Sequence, residues 1–511
     1  MIYIRARGWR LSAGLAVGVC LAIGSLTVGA AMAEPGWPQG RVAPVSESLA
    51  DLLAGKPANV PALVMVHGTD LAAANRAVSE TGMTKLTEFR KVGIVVARAT
   101  PRQVEQARSQ PGVTYLEGDQ PVKLFTDTSH YATRGAQAAR TLTGANGKLL
   151  DGSGVSVAVI DTGIDPSHPS LSGGKVVNNL RCGPLVMGCT AVGNHTPSDL
   201  ELVGHGTAVS AVAVGNPVTL PDGRRISGAA PGAKLVSLTL QGGVFTEAAG
   251  NTALNWVLEH HTEPCGAGVS PKECPPIKVT NNSYGPPRGG GNFDPMSATA
   301  KLQEALVDEG VMTVWSNGKD DGDGTVNNSN PPGQDPTPGI VLVAAAAVGD
   351  DPTRAHVANF SGRGLASDPA TWPDISAPGE RILTACRAFF VVDRCGAGPL
   401  ALPGPGGGNF QEVSGTSFAA PDVSGIIAQL FQLRPDASPG EVEDAMKGTA
   451  FKYEGASVPY VRVGEYTSSF DKGTGLVNVL GAAWVLDHRK SHDRMKPNGV
   501  RSGRSRSSAN S

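Results

Sequence analysis

Three apolar runs that end in polar clusters restrict the fold more than anything else in the chain. Val155 to Ile160 is almost wholly apolar and ends in Asp161-Thr162-Gly163-Ile164-Asp165. Ile277 to Thr280 ends in Asn281-Asn282-Ser283-Tyr284-Gly285, and Val311 to Trp315 ends in Ser316-Asn317-Gly318. Such runs suit strands buried on both faces, as in a parallel sheet covered by helices. From about residue 135 to 485 they alternate with helical patterns, which argues for a parallel α/β sheet. Ligands bind beyond the carboxyl ends of the strands in such sheets. Three separated parts of the chain are therefore expected to deliver polar residues to one edge.

A fourth stretch, Ser414-Gly415-Thr416-Ser417-Phe418-Ala419-Ala420-Pro421, joins a Gly/Pro-rich segment to a long apolar helix expected from about Ser417 to Leu433. A serine at a helix N-terminus meets unpaired N–H groups and the positive end of the helix dipole, which favour developing negative charge. Gly415 is expected to let the backbone turn sharply. Pro421 is expected in the first turn, where it leaves no hydrogen bond unmade. Taken alone, a Ser/Thr pair that opens a helix reads as an N-cap.

A hydroxyl is a poor nucleophile at neutral pH. It needs a neutral imidazole to take its proton and a carboxylate to hold that imidazole in the right tautomer. Of the ten histidines, only His205 sits in a glycine-flanked turn at a helix start, Gly204-His205-Gly206-Thr207. Asp161 follows a buried strand, so the chain order is Asp, His, Ser, the order known from subtilisin itself. With Val-Ala-Val-Ile-Asp161-Thr-Gly-Ile-Asp, Gly-His205-Gly-Thr and Gly-Thr-Ser417-Phe-Ala-Ala-Pro, the sequence resembles the subtilisin-like serine proteases, or subtilases. Gly228-Ala229-Ala230-Pro231, Asn359-Phe360-Ser361, Asp374-Ile375-Ser376-Ala377-Pro378-Gly379 and Gly473-Thr474-Gly475-Leu476-Val477-Asn478 extend the likeness over about residues 150–485.

The resemblance implies a three-layer subtilisin-like α/β fold, a mostly parallel sheet flanked by helices, and a serine endopeptidase with the triad Asp161, His205 and Ser417. It implies that Asn317 is the oxyanion-hole asparagine, and that Ser283, Tyr284 and Gly285 pair with an extended substrate backbone. Departures from the family pattern are Ala208 in place of a second histidine, Phe418 in place of methionine, and Ser316, Trp315 and Val314 in place of smaller residues. The last three are expected near the wall of the primary specificity pocket, which implies a smaller or reshaped pocket.

The rest of the chain frames this site. Residues 1–33 read as a secretory signal, with Arg5, Arg7 and Arg10, an apolar stretch from Leu11 to Ala30, and an Ala31-Met32-Ala33 cleavage site. An uncleaved anchor is the rival reading, and the many Gly, Ala, Ser and Thr residues favour cleavage. Residues 34–130 are expected to be a propeptide. Within it, residues 61–118 follow a β-α-β-β-α-β order, the ferredoxin-like α+β arrangement, and resemble the family's inhibitor and folding-assistant module. Asp119 to Tyr131 reads as a cleavable linker and residues 131–486 as the catalytic domain. Residues 487–511 read as a disordered tail with seven Lys/Arg against two Asp.

Removing the signal leaves six cysteines in three close pairs, Cys182 and Cys189, Cys265 and Cys274, Cys386 and Cys395. In an exported protein they suggest three local disulfides, an argument from proximity alone among fifteen formal connectivities. Zinc finds no support in the spacing. Lys319-Asp320-Asp321-Gly322-Asp323-Gly324 has the close carboxylates that suit calcium but lacks EF-hand spacing. A solvated acidic loop is the favoured reading there, and family members hold structural calcium through dispersed ligands. No organic cofactor is implied. A net charge of −2 in 511 residues argues against a polyanionic partner. The expected state is a secreted monomer, free of membrane and nucleic acid, with peptide substrates and its own propeptide as inhibitor. A catalytically silent binding protein on the same fold would lack a triad member, and none is lacking. An esterase of the α/β-hydrolase kind would need G-x-S-x-G and the opposite chain order.

Overall fold

The computed structural model describes residues 42–54, 57, 59–118, 128–183, 188–199, 204–221, 223–240, 246–286, 290–348, 355–387, 409–453 and 458–494. The signal reading of residues 1–33, Cys395 and the tail beyond residue 494 lie outside them, as does most of the linker. The chain forms two compact units, Met1–Val122 and Lys123–Ser511.

The first unit contains α1 (Glu47–Ala54), β1 (Ala62–Gly68), α2 (Leu71–Glu80), β2 (Thr84–Phe89), β3 (Ile94–Ala99), α3 (Pro101–Arg108) and β4 (Val113–Gly118). Its sheet is antiparallel in the order β2-β3-β1-β4, so the β-α-β-β-α-β succession of residues 61–118 is present. Alternation does the packing: Val64 and Val66 of β1 and Val95 and Ala97 of β3 are buried, in one cluster with Ala74, Ala77 and Val78 of α2. Asp70 caps α2 by accepting from the Ala73 N–H at 2.7 Å, and Thr100 and Gln103 form a capping box on α3. The third strand begins two residues later than its apolar run suggests, because Arg90–Val92 form a 3₁₀ turn first.

The second unit opens with α4 (Thr128–Ala132) and α5 (Gly135–Thr141). Then follow β5 (Ser156–Asp161), β6 (Val176–Gly183), β7 (Gly188–Ala191), α6 (His205–Val214), β8 (Val218–Thr219), β9 (Arg225–Ile226), β10 (Lys234–Leu240), α7 (Glu247–His260), β11 (Ile277–Asn282), α8 (Ala298–Asp308), β12 (Met312–Ser316), β13 (Ile340–Ala347), β14 (His356–Val357) and β15 (Ile375–Pro378). The unit closes with β16 (Ile382–Cys386), β17 (Asn409–Val413), α9 (Thr416–Leu433), α10 (Pro439–Thr449), β18 (Val461–Val463), β19 (Tyr466–Ser468) and α11 (Val479–Arg494). The large sheet runs β14-β13-β12-β11-β5-β10-β6-β7, with β15 also on β13. It is parallel except at β13/β14 and β6/β7. From the central β5 the chain first builds one side (β6, β10) and then the other (β11, β12, β13), so β5 lies at the switch point where open α/β sheets hold their ligands.

Period-two alternation splits the core between two layers. Val157 and Val159 of β5 pack with α6 and α9, whereas Ala158 and Ile160 pack with α7. The helix α9 is buried from Thr416 to Gln432, and its polar Ser424, Gln429 and Gln432 are hydrogen-bonded inside. Disulfides join Cys182 to Cys189 and Cys265 to Cys274, and Cys386 is disulfide-bonded as well. The tail is not irregular from residue 487 onward: α11 carries the chain to Arg494, because the apolar side of Val479–Leu486 anchors a helix that the charged residues continue. Among the described residues no helix is long and apolar enough to cross a membrane.

Candidate active site

The carboxyl ends of β5, β11 and β12 and the N-termini of α6 and α9 converge on one cavity of about 530 Å³. Asp161, His205, Ser283, Tyr284, Gly285, Asn317 and Ser417 all line it. Asp161 is the last residue of β5, where the strand's hydrogen-bond ladder holds its backbone; its side chain is 3% exposed. His205 is the first residue of α6, and its Nδ1 stands 2.8 Å from Asp161 Oδ1. Gly206 makes this approach possible, since a Cβ there would lie 2.2 Å from the Gly163 carbonyl oxygen. Burial opposes charge on the imidazole, but the charge of Asp161 and its hydrogen bond outweigh that and hold the His205 pKa above its ordinary value.

A buried carboxylate that motif reading missed stands behind this pair. Asp199 accepts from Thr162 Oγ1 at 3.2 Å and from Thr207 Oγ1 at 2.7 Å. The Gly206 N–H donates to Thr162 Oγ1 at 2.8 Å. Asp199 thus ties the end of β5 to the first turn of α6. Burial pushes its carboxyl up to about 7, with Thr207 opposing and the negative charge of Asp161 adding to the rise.

Ser417 is the second residue of α9, one of the positions whose N–H has no intrahelical partner. Two expectations about its surroundings are corrected. The φ of Gly415 is 166°, extended backbone that any residue adopts, so the glycine is not needed for a turn. Pro421 lies inside α9 rather than in its first turn, because the helix begins at Thr416. Its missing N–H leaves the Ser417 carbonyl without its i+4 donor, and Ser283 Oγ donates to that carbonyl at 3.0 Å. In return Ser417 Oγ donates to the Ser283 carbonyl at 3.3 Å, long for such a bond and therefore weakly held.

Asn317 follows β12 and is fully buried. Its Nδ2 donates to the Gly362 carbonyl, which commits one of two amide hydrogens. Thr416 Oγ1 accepts from the Gly318 N–H at 3.1 Å and donates to the Gly318 carbonyl at 3.0 Å. This double bond between neighbours fixes Asn317 relative to the start of α9. The N-cap reading of the Ser/Thr pair is thereby corrected: Gly415 occupies the cap and Thr416 bonds across to Gly318 instead.

The specificity-pocket reading needs a further correction. Ser316 lines the cavity, whereas Val314 and Trp315 do not. Val314 points into the layer of α6 and α9. Trp315 points into the opposite layer, where its Nε1 donates to Gln303 Oε1 at 3.0 Å. Their bulk therefore packs the core. Lys319 and Asp320, read from sequence only as part of an acidic loop, line the cavity, as do Asn328 and Asn330, which no motif singled out. In the acidic loop, Asp323 accepts from Thr325 N at 2.9 Å and Asp321 pairs with Arg363 at 3.4 Å. Among the described residues no group of three or more His, Cys, Asp or Glu is placed to hold a metal ion.

The profile of the peptidase S8 group, the subtilase family, matches residues 152–482. Serine protease AprX of Bacillus subtilis is 26% identical over 399 residues, covering 76% of this chain and 81% of that protein. Subtilisin E of the same organism is 25% identical over 406 residues, covering 80% and 84%. Fervidolysin of Fervidobacterium pennivorans is 30% identical over 307 residues, 60% of this chain and 38% of the longer relative. The matched profile takes in more than half of the chain and spans every residue of the cavity described above, so this protein belongs to the subtilase family of serine endopeptidases.

Proposed function

We propose that the protein is a secreted endopeptidase made as a zymogen, acting through Asp161, His205 and Ser417. The observation that carries this reading is the 2.8 Å contact of His205 Nδ1 with Asp161, in the cavity that Ser417 and Asn317 also line. Ser417 Oγ attacks the peptide carbonyl and its proton passes to His205 Nε2. Asp161, bonded to Nδ1, holds the tautomer and stabilises the imidazolium. The oxyanion takes the Ser417 N–H and the second Nδ2 hydrogen of Asn317. His205 then gives its proton to the departing amine, which leaves an ester on Ser417. Water, deprotonated by His205, attacks the ester and frees the acid.

Ser283, Tyr284 and Gly285 offer an extended edge for the backbone of a peptide substrate, with main-chain bonds for affinity. Residues 1–33 direct export, and residues 34–130 act as folding aid and intramolecular inhibitor until cleaved. The mature protein, from about residue 131, works as a monomer.

The test is the intact mass of the exported protein, wild type beside Ser417→Ala. Loss of residues 34–130 from the wild type alone supports the whole scheme. Retention by both removes self-maturation and raises a silent scaffold in its place. Loss by both means maturation in trans, and labelling with a serine-directed probe then decides activity.

A further inference from the structure

Asn330 lies in the cavity wall, 3% exposed. Its Nδ2 donates to the Tyr284 carbonyl at 2.9 Å and to the Ser316 carbonyl at 2.9 Å. Those carbonyls belong to segments that leave two neighbouring parallel strands. Asn282 of β11 is paired with Trp315 of β12, and beyond them 283–285 and 316–318 no longer pair. Asn330 is a crossbar between the two. Both amide hydrogens are committed, and turning the amide over would set its oxygen against two carbonyl oxygens, so Oδ1 is the acceptor. No donor reaches this buried Oδ1 among the described residues. It lies directly against Gly285, where a Cβ would come within 2.8 Å.

The Ser417 hydroxyl sits on the Ser283 carbonyl, one residue before Tyr284. A peptide attacked by Ser417 while lying along 283–285 must send the side chain of its acyl residue between that edge and 316–318. That slot is the one Asn330 spans.

We propose that Asn330 closes the floor of this slot and limits the acyl-side residue to small side chains, with Ala and Ser accepted and Phe, Tyr and Leu refused. Two hydrogen bonds lock the amide, so it cannot swing aside for a larger group. The inference rests on Ser417 as nucleophile and adds the substrate class to that reading.

The experiment uses the matured enzyme and internally quenched peptides that differ only in the residue before the scissile bond. Selectivity is a ratio of kcat/KM values within one preparation, so it does not depend on the fraction of active enzyme. Wild type is expected to cleave the Ala and Ser peptides at least 100-fold more efficiently than the Phe and Tyr peptides. Asn330→Gly is expected to narrow that ratio at least tenfold, and Asn330→Ser, which keeps a short polar group, to narrow it less. A wild type that prefers aromatic residues overturns the proposal whether or not either variant folds. An active Asn330→Gly enzyme with an unchanged ratio overturns it as well. Cleavage by Ser417→Ala at the wild-type rate would instead refute the nucleophile assignment.

Discussion

At the scale of single residues, two side chains decide how the cleft works. As the proposed base His205 works only when neutral, and Asp161 holds its pKa above the ordinary histidine value of about 6.5. The acid limb of kcat/KM against pH is therefore expected above that value; a limb at or below it would show that Asp161 does not govern the ring. The stability sign runs the other way. A raised pKa means that the protonated ring favours the folded state below the unfolded pKa, and this contribution is lost as pH rises through the folded one. Activity thus grows where that stabilisation fades. Asn317→Ala is expected to lower kcat about 10²–10³-fold with little change in KM, the effect measured for such a donor in subtilisin. An equal rise in KM instead would make Asn317 a ground-state contact. The place of His205 in the cavity was legible from its glycine-flanked turn and that of Asn317 from the family resemblance. Asn330 was not, because it works through main-chain carbonyls of Tyr284 and Ser316 that no motif records.

At the scale of elements, the site depends on how strand ends are tied to helix starts. Asp199 fastens β5 to α6 through two threonines. Asp199→Ala is expected to reduce kcat by up to about 10²-fold by misplacing His205 against Asp161, leaving KM nearly unchanged. Equal kcat for the variant and the wild type would remove Asp199 from the positioning machinery. Ser283→Ala deprives the Ser417 carbonyl of the donor that replaces the N–H missing at Pro421. It is expected to cost roughly 1–3 kcal/mol for the unsatisfied group, seen as a lower denaturant midpoint at unchanged m-value. The strands and their polar ends could be read from apolar runs. The role of Pro421 could not, because helix boundaries set by packing shift by a few residues from those set by composition. Met312 and Val314 face one layer, so alternation alone sends Trp315 to the other.

At the scale of the whole molecule, a partly buried ionic network joins α10 to the sheet. Lys447 Nζ lies 2.8 Å from Asp374 Oδ1 and 2.9 Å from Glu443 Oε1. The free carboxylate oxygens accept from Leu342 N at 2.9 Å and Gly339 N at 2.6 Å. Burial works against the ammonium, but the two carboxylates outweigh it and keep its pKa above the lysine range. Lys447→Met leaves two partly buried carboxylates without their donor and is expected to cost about 1–3 kcal/mol. Thermal unfolding of the variant in a Ser417→Ala background, where self-digestion cannot interfere, measures this; an unchanged Tm would make the network ornamental. The position of α9 has its own outcome in time. The sheet's strands are all synthesised before residue 416, yet the face that α9 covers stays open until that helix exists. One helix therefore carries both the proposed nucleophile and the central wedge of the core. A chain cut short before α9 would lack at one stroke both the hydroxyl proposed to cut and the packing that covers its sheet.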